Sequence, residues 1–90
     1  DLKDPKEVVL VGDSNDPKTQ KMIRALRENY VPNKVVLFKD ISKPDALSIV
    51  APWTENHVMM DGKPTFYICE NFACKQPTTN LDLALKYLNE

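Results

Sequence analysis

Two cysteines near the C-terminal end of the chain are its only thiols. Cys69 and Cys74 have four residues between them and flank a short turn at Glu70-Asn71. Such a pair can persist as buried, unreactive thiols, form a reversible redox couple, or supply half of a metal site. Because the sequence carries no secretory leader, we expect reduced thiols in a cytoplasmic protein, and buried thiols are favoured over the other two fates.

His57 is the only histidine, and it lies in a polar stretch where an imidazole is usually solvated. Together with Cys69 and Cys74 it could supply three zinc ligands. Structural zinc sites are normally four-coordinate, however, and no fourth soft donor is apparent. The sequence therefore predicts no metal site and no cofactor.

A second candidate site follows the first apolar run of the chain. Backbone N–H groups at a strand-to-helix junction can bind an anion, but the spacing of a glycine-rich phosphate loop is missing and the acidic residues would repel a phosphate. Asp13 and Asp40 could instead hold Mg²⁺ if their strands end at one sheet edge. A turn with a helix cap is favoured over both. The candidate ligand loop comprises Gly12, Asp13, Ser14, Asp16 and Asp40.

The apolar pattern predicts the elements that position these residues. Residues 8–11 and 34–38 are continuous runs rich in β-branched side chains, which is typical of strands covered on both faces. Between them, Asp16-Pro17 is typical of a helix start, and apolar residues recur at helical spacing up to Tyr30. Two strands joined by a helix predict a parallel, right-handed βαβ unit.

The second half of the chain predicts a short helix, a hairpin and a closing helix. A capping pattern at Ser42 precedes a short helix at 46–50, and strands are expected at 65–69 and 72–75. Thr79 or Asn80 would cap a last helix over 81–88. The predicted fold is one α/β domain over residues 1–90, with αβα layers and the order β-α-β-α-β-β-α.

A long connection between the second helix and the third strand is unusually apolar for a surface segment. It runs from residue 51 to 63 and contains Trp53, Met59 and Met60. Tryptophan and methionine are enriched where proteins contact one another. Packing of part of this segment on the core is favoured, and otherwise these three residues form a candidate interface.

The order of elements and the stretch Gly62-Lys63-Pro64-Thr65-Phe66 resemble the thioredoxin-like fold, in which a cis-proline precedes the third strand. The resemblance makes Pro64 a candidate cis-proline. Thioredoxins place a reactive Cys-x-x-Cys where the first strand meets its helix, but residues 12–16 contain no cysteine. A small doubly wound parallel sheet is the alternative, and it would gather Asp13, Asp40 and Glu70 at one edge.

Three longer motifs resemble the C-terminal end of the thioredoxin-domain-containing, spermatogenesis-associated (YyaL-like) protein family. They are Val-Val-x-Val-Gly-Asp at 8–13, Leu-Arg-x-x-Tyr-x-Pro-Asn-Lys-Val-Val-Leu at 26–37, and Asp-Gly-Lys-Pro-Thr-x-Tyr-x-Cys-x-Asn-Phe-x-Cys-x-x-Pro at 61–77. The resemblance implies a domain appended to a larger protein of undefined activity. Its expected partners are the other domains of that parent chain.

Composition narrows the classes of function. Twelve Lys and Arg against 13 Asp and Glu give a net charge of −1, and the basic residues are dispersed, so no nucleic-acid partner is expected. The longest apolar stretch is too short for a membrane span. We expect a non-catalytic accessory and interaction domain, and the alternative is a thiol–disulfide redox domain that uses Cys69 and Cys74.

Overall fold

A computed structural model describes residues 6–29, 34–43, 57–70 and 73–90. The described elements are β1 (Lys6–Gly12), α1 (Pro17–Glu28), β2 (Lys34–Asp40), β3 (Thr65–Glu70), β4 (Ala73–Cys74) and α2 (Leu81–Leu88). The short helix predicted at 46–50 lies outside the described residues. Within the described segments, neither helix has the length and apolar character that crossing a membrane requires.

The four strands form one mixed sheet in the order β2-β1-β3-β4. β1 is parallel to β2 and antiparallel to β3, and β4 returns antiparallel to β3. The parallel pairing predicted for the βαβ unit is confirmed, whereas the all-parallel alternative is wrong because β3 runs against β1. Glu70 pairs with Lys6 at the start of β1, so it does not join Asp13 and Asp40 at the other end of the sheet.

β1 is the central strand because its side chains are apolar on both faces. Residues 8 to 11 are at most 2% exposed, which confirms the prediction from their β-branched run. Val8 and Leu10 lie on the face that both helices cover. The core on that face is completed by Leu26 of α1, by Phe66 and Ile68 of β3, and by Ala84 and Leu88 of α2.

The start of α1 follows its predicted chemistry. Asp16 is the N-cap, its Oδ1 accepts from the Lys18 N–H at 2.9 Å, and Pro17 occupies the first turn. Thr19 is fully buried against the end of β1. A Cβ placed on Gly12 would lie 2.7 Å from Thr19 Oγ1, so close packing of helix on strand requires glycine there.

β2 differs from its prediction as a buried strand. It lies at the edge of the described sheet, and Val35 and Val36 are 46% and 41% exposed. Strand order is decided by long-range pairing, and an apolar run at an edge has the same local pattern as one at the centre. The prediction of a strand is confirmed, and the prediction of its burial is wrong.

The last helix is fixed at both ends. Asn80 is its N-cap, with Oδ1 accepting from the Leu83 N–H at 3.0 Å. At the other end, Lys6 Nζ donates to the carbonyls of Tyr87 at 3.0 Å, Leu88 at 3.2 Å and Glu90 at 2.6 Å. The Tyr87 carbonyl also accepts from the Glu90 N–H at 3.4 Å, and a cation at the end of a helix complements the helix dipole. Lys6 thus ties β1 to the end of α2.

Candidate functional site

The cysteine hairpin is formed by β3 and β4. The register places Cys69 directly opposite Cys74, with the two Cα atoms 3.9 Å apart, and the side chains form a disulfide. The Lys75 N–H donates to the Ile68 carbonyl at 2.9 Å and continues the pairing. The prediction of reduced, buried thiols is wrong, because Cys69 is half-buried and Cys74 is exposed.

The disulfide also removes the zinc hypothesis for this state of the protein. Both sulfur atoms are bonded to each other, and a thiolate is needed for coordination. In the part of the chain that the structure describes, no group of three or more His, Cys, Asp or Glu side chains is placed to hold a metal ion.

A cavity of about 250 Å³ lies between the hairpin and the end of α2, and both cysteines contribute to its lining. Lys75 Nζ lies 3.1 Å from Glu90 Oε1 and 5.1 Å from the centre of the Tyr87 ring. Both charged side chains are about half exposed, so this ion pair contributes at most about 1 kcal/mol. The cavity thus adjoins a disulfide and a cation that already has an acidic partner.

The candidate ligand loop is brought together around Asp40. Asp40 Oδ1 accepts from the Ser14 N–H at 3.2 Å, the Ser42 N–H at 3.0 Å and the Ser42 hydroxyl at 2.7 Å. Partial burial acts to raise the pKa of Asp40, but the hydrogen bonds from Ser42 and Ser14 outweigh it and lower the pKa from 3.8 to about 2. Asp40 is therefore ionised at neutral pH.

Asp13 and Asp16 of this loop accept hydrogen bonds from neighbouring backbone N–H groups. Asp13 Oδ1 accepts from the Asn15 N–H at 2.9 Å, and Asp16 caps α1. The Gly12 carbonyl accepts from the Ile41 N–H at 2.9 Å, which joins the ends of β1 and β2. This geometry is that of two linked turns with a helix cap, and whether the loop binds a ligand stays a prediction.

The segment of residues 57–63, called here the 57–63 loop, is attached to the sheet face opposite the helices. The His57 ring stacks on the Tyr67 ring with centroids 4.2 Å apart, and Lys39 Nζ donates to the His57 carbonyl at 2.9 Å. The Tyr67 hydroxyl donates to the Val58 carbonyl and accepts from its N–H at 3.0 Å. Strand side chains thus fix the loop backbone at two successive residues.

The other end of the loop is held by Thr65, which is fully buried. Its Oγ1 accepts from the Met60 N–H at 2.8 Å and donates to the Lys63 carbonyl at 2.9 Å. Asp61 and Gly62 form the intervening turn with φ values of 55° and 67°. Glycine suits that left-handed conformation, and a short side chain such as aspartate tolerates it.

The surroundings of His57 favour its neutral form. Burial first, and then the positive charge of Lys39, lower the pKa of His57. A protonated ring would also repel Lys39 on the same sheet face. The contact between the loop and the sheet is therefore strongest when the imidazole carries no charge.

The loop presents Val58 to solvent with 58% of its surface exposed, while Met59 and Met60 are half-buried. Trp53 of the predicted interface lies outside the described residues. Sequence reasoning missed Val58, together with Lys39 and Tyr67 that fix it. Tyr67 could have been found from the alternation of β3, which puts it on the face opposite Phe66.

Pro64 is buried beside Gly12, 3.4 Å from the position of a Cβ on that glycine. All described peptide bonds are trans, including the one before Pro64. The cis-proline prediction is therefore wrong for this structure.

Comparison with known proteins gives three related matches. The chain is 31% identical to human spermatogenesis-associated protein 20 over 75 residues, and 32% identical to the proteins of the same name from Rattus norvegicus and Mus musculus. No protein-family model and no solved structure matches the chain. The similarity covers 83% of this chain and supports the spermatogenesis-associated family, and the chain spans 10% of the length of these curated relatives.

Proposed function

We propose that this chain is a non-catalytic accessory domain of a larger protein of the spermatogenesis-associated family, and that it packs against the rest of that protein. The observation that carries the proposal is that the match covers most of this chain but only a small part of the relative. The match includes 83% of this chain but only 10% of the human relative. A domain joined to a much larger polypeptide contacts its neighbours through part of its surface.

The fold proposed for this domain is thioredoxin-like. The support is the strand order β2-β1-β3-β4 with β3 antiparallel to β1, followed by a closing helix. In such a fold a further helix, the one predicted at 46–50, would lie between β2 and β3. The absence of cysteine from residues 12–16 favours a role without dithiol catalysis, because a helix N-terminus is what makes such thiols acidic.

The proposed contact surface is the 57–63 loop, together with Trp53 and the edge of the cysteine hairpin. Val58 is the most exposed large apolar side chain of the described residues, at 58%. Its backbone is fixed by the Tyr67 hydroxyl, so little conformational entropy would be lost when a partner covers it. An exposed apolar side chain on a fixed backbone is typical of an interface.

The test is to express the remainder of the parent protein separately and measure its affinity for this chain by calorimetry. We expect Val58→Asp to weaken binding about tenfold or more, since a charge would be buried at the contact. Val36→Asp is the matched control, because this valine is also exposed but lies on the opposite face of the sheet. Equal binding of both variants, or no association of the parent chain, would refute the proposal.

A thiol–disulfide redox role is the second candidate function, and the Cys69–Cys74 disulfide is the observation that favours it. An incoming thiolate would bond to the sulfur of Cys74, the more exposed of the two residues. The S–S bond would break, and its electron pair would leave on Cys69 as a thiolate. Glu7 lies opposite Cys69 in the register, and its carboxylate would repel that thiolate. Exchange is therefore expected to be slow.

Equilibration with glutathione buffers, followed by thiol titration without denaturant, tests the redox role. A redox pair should give two accessible thiols in reducing buffer and none in oxidising buffer, with the fold retained in both. The Cys69→Ser/Cys74→Ser variant provides the baseline. A disulfide that is reduced only after denaturation would rule out this function.

A further inference from the structure

β2 offers an edge that is paired on one side only within the described sheet. It contributes seven residues, Lys34–Asp40, all in register with β1. An outer strand has N–H and C=O groups directed away from the sheet, and these can pair with another strand. Val35 and Val36 are 46% and 41% exposed along this edge.

The sequence of β2 is complementary to itself when two copies run antiparallel about Leu37. Leu37 then pairs with Leu37 of the other copy, and residues equally far from it on either side pair with each other. Lys34 of one copy therefore faces Asp40 of the other, and Val36 faces Phe38. Both pairs occur twice because the arrangement has twofold symmetry. Opposite charges and apolar side chains that face each other across strands each stabilise the pairing.

Lys34 and Asp40 can each form a further hydrogen bond in this contact. Lys34 Nζ donates to the Leu26 carbonyl at 3.3 Å and the Asn29 carbonyl at 3.1 Å, and an ammonium group has a third donor. The three hydrogen bonds that Asp40 accepts from Ser14 and Ser42 backbone and hydroxyl groups end on Oδ1. Its Oδ2 can therefore face the lysine of the second copy.

We propose that β2 is a dimerisation edge, at which a second copy of this chain adds its own β2 antiparallel and joins the two four-stranded sheets into one. The proposal uses the sheet edge and not the 57–63 loop, so it is independent of the proposed docking to the parent protein. Main-chain hydrogen bonds supply the affinity of such strand addition, and the facing side chains fix the register.

An apolar groove beside the β2 edge favours a second copy of the chain as the partner. It has a volume of about 410 Å³ and lies between α1 and β2, where Ile23 and Leu26 face Val36 and Phe38. The added strand would bring the second Phe38 opposite Val36 at the mouth of this groove. A single strand seam is smaller than a standard protein interface, so we expect a dimer whose population depends on protein concentration.

A register-specific cross-link tests the pairing. Leu37 faces its own copy in the proposed dimer, and the Cys69–Cys74 disulfide shows that directly opposed residues of this sheet can be bridged. Leu37→Cys should therefore form a covalent dimer under mild oxidation. Val35→Cys is the control, since Val35 is more exposed than its neighbour but faces Lys39 of the second copy. Equal cross-linking of the two variants, or none of Leu37→Cys, would overturn the proposal.

Sedimentation equilibrium of the 90-residue chain, at concentrations up to about 1 mM, provides the second test. The mass should rise toward that of a dimer, and Val36→Asp should weaken association about tenfold or more while Val58→Asp leaves it unchanged. In the docking assay we expect the opposite result, in which Val58→Asp weakens binding and Val36→Asp does not. The two proposals can therefore fail separately. A chain that stays monomeric at every concentration would overturn the dimer proposal. A strand of another protein would then be the remaining candidate partner for this edge.

Discussion

Breaking the Cys69–Cys74 disulfide should destabilise the domain by an amount that the hairpin geometry sets. The bond can be removed chemically with a phosphine reductant, which leaves every side chain in place. It can also be removed in the Cys69→Ala/Cys74→Ala variant. The two routes change different atoms, so agreement between them isolates the effect of the cross-link.

The expected magnitude follows from the length of chain that the disulfide closes. The two cysteines are five positions apart, and cross-linking so short a loop removes about 2 kcal/mol of entropy from the unfolded chain. β4 has only two residues, and its continuation rests on the hydrogen bond from Lys75 to Ile68. If that bond frays on reduction, about 1 kcal/mol more is lost.

Urea denaturation followed by circular dichroism measures this difference in the free energy of unfolding. We expect the reduced protein and the double alanine variant to be less stable than the oxidised protein by about 2 to 3 kcal/mol. For a domain of this size the melting temperature should fall by about 10 °C. The slope of the urea transition should change little, because the core that unfolds is the same.

A reduced protein as stable as the oxidised one would refute this reasoning, since it would mean that the hairpin is closed equally well without the bond. A loss above about 5 kcal/mol would refute it in the other direction, because loop entropy cannot supply that much.

Three further predictions concern the scaffold. Gly12→Ala should cost about 1 to 3 kcal/mol because its Cβ would lie 2.7 Å from the buried Thr19 hydroxyl, and an unchanged thermal midpoint would contradict that contact. The folded-state pKa of Asp40 is lowered to about 2, so its stabilisation is present above pH 3.8 and is lost as pH falls from there through 2. Asp40→Asn should therefore be less stable than the wild type at pH 6 but nearly equal at pH 2 in urea titrations. Lys6→Met should free the last carbonyls of α2 and speed amide exchange at its C-terminal turn, and exchange as slow as in the wild type would contradict its role as a cap.

Features that depend on neighbouring residues could be predicted from the sequence. The β-branched run of β1, the Asp16-Pro17 start of α1 and the Asn80 cap of α2 each carry a local chemical signal, and each is confirmed. The hairpin was also predicted, because two apolar runs flank a short polar turn. These elements are the ones whose conformation is decided within a few residues.

Features that depend on long-range pairing were missed. The exposure of Val35 and Val36 follows from the position of β2 at the sheet edge, which no local pattern encodes. The disulfide depends on a register that puts Cys69 opposite Cys74, and a shift of one residue would have placed the two side chains on opposite faces. The contacts of Lys39 and Tyr67 with the 57–63 loop likewise arise only once three distant segments meet.

Hydrogen–deuterium exchange of the 57–63 loop, compared between the isolated chain and the whole parent protein, is the most direct test of the central claim. If the domain docks through this loop, the amides from Val58 to Met60 should exchange more slowly in the parent, while those of the buried strand β1 should not change. Equal exchange of the loop in both proteins would contradict the claim that it contacts the rest of the parent.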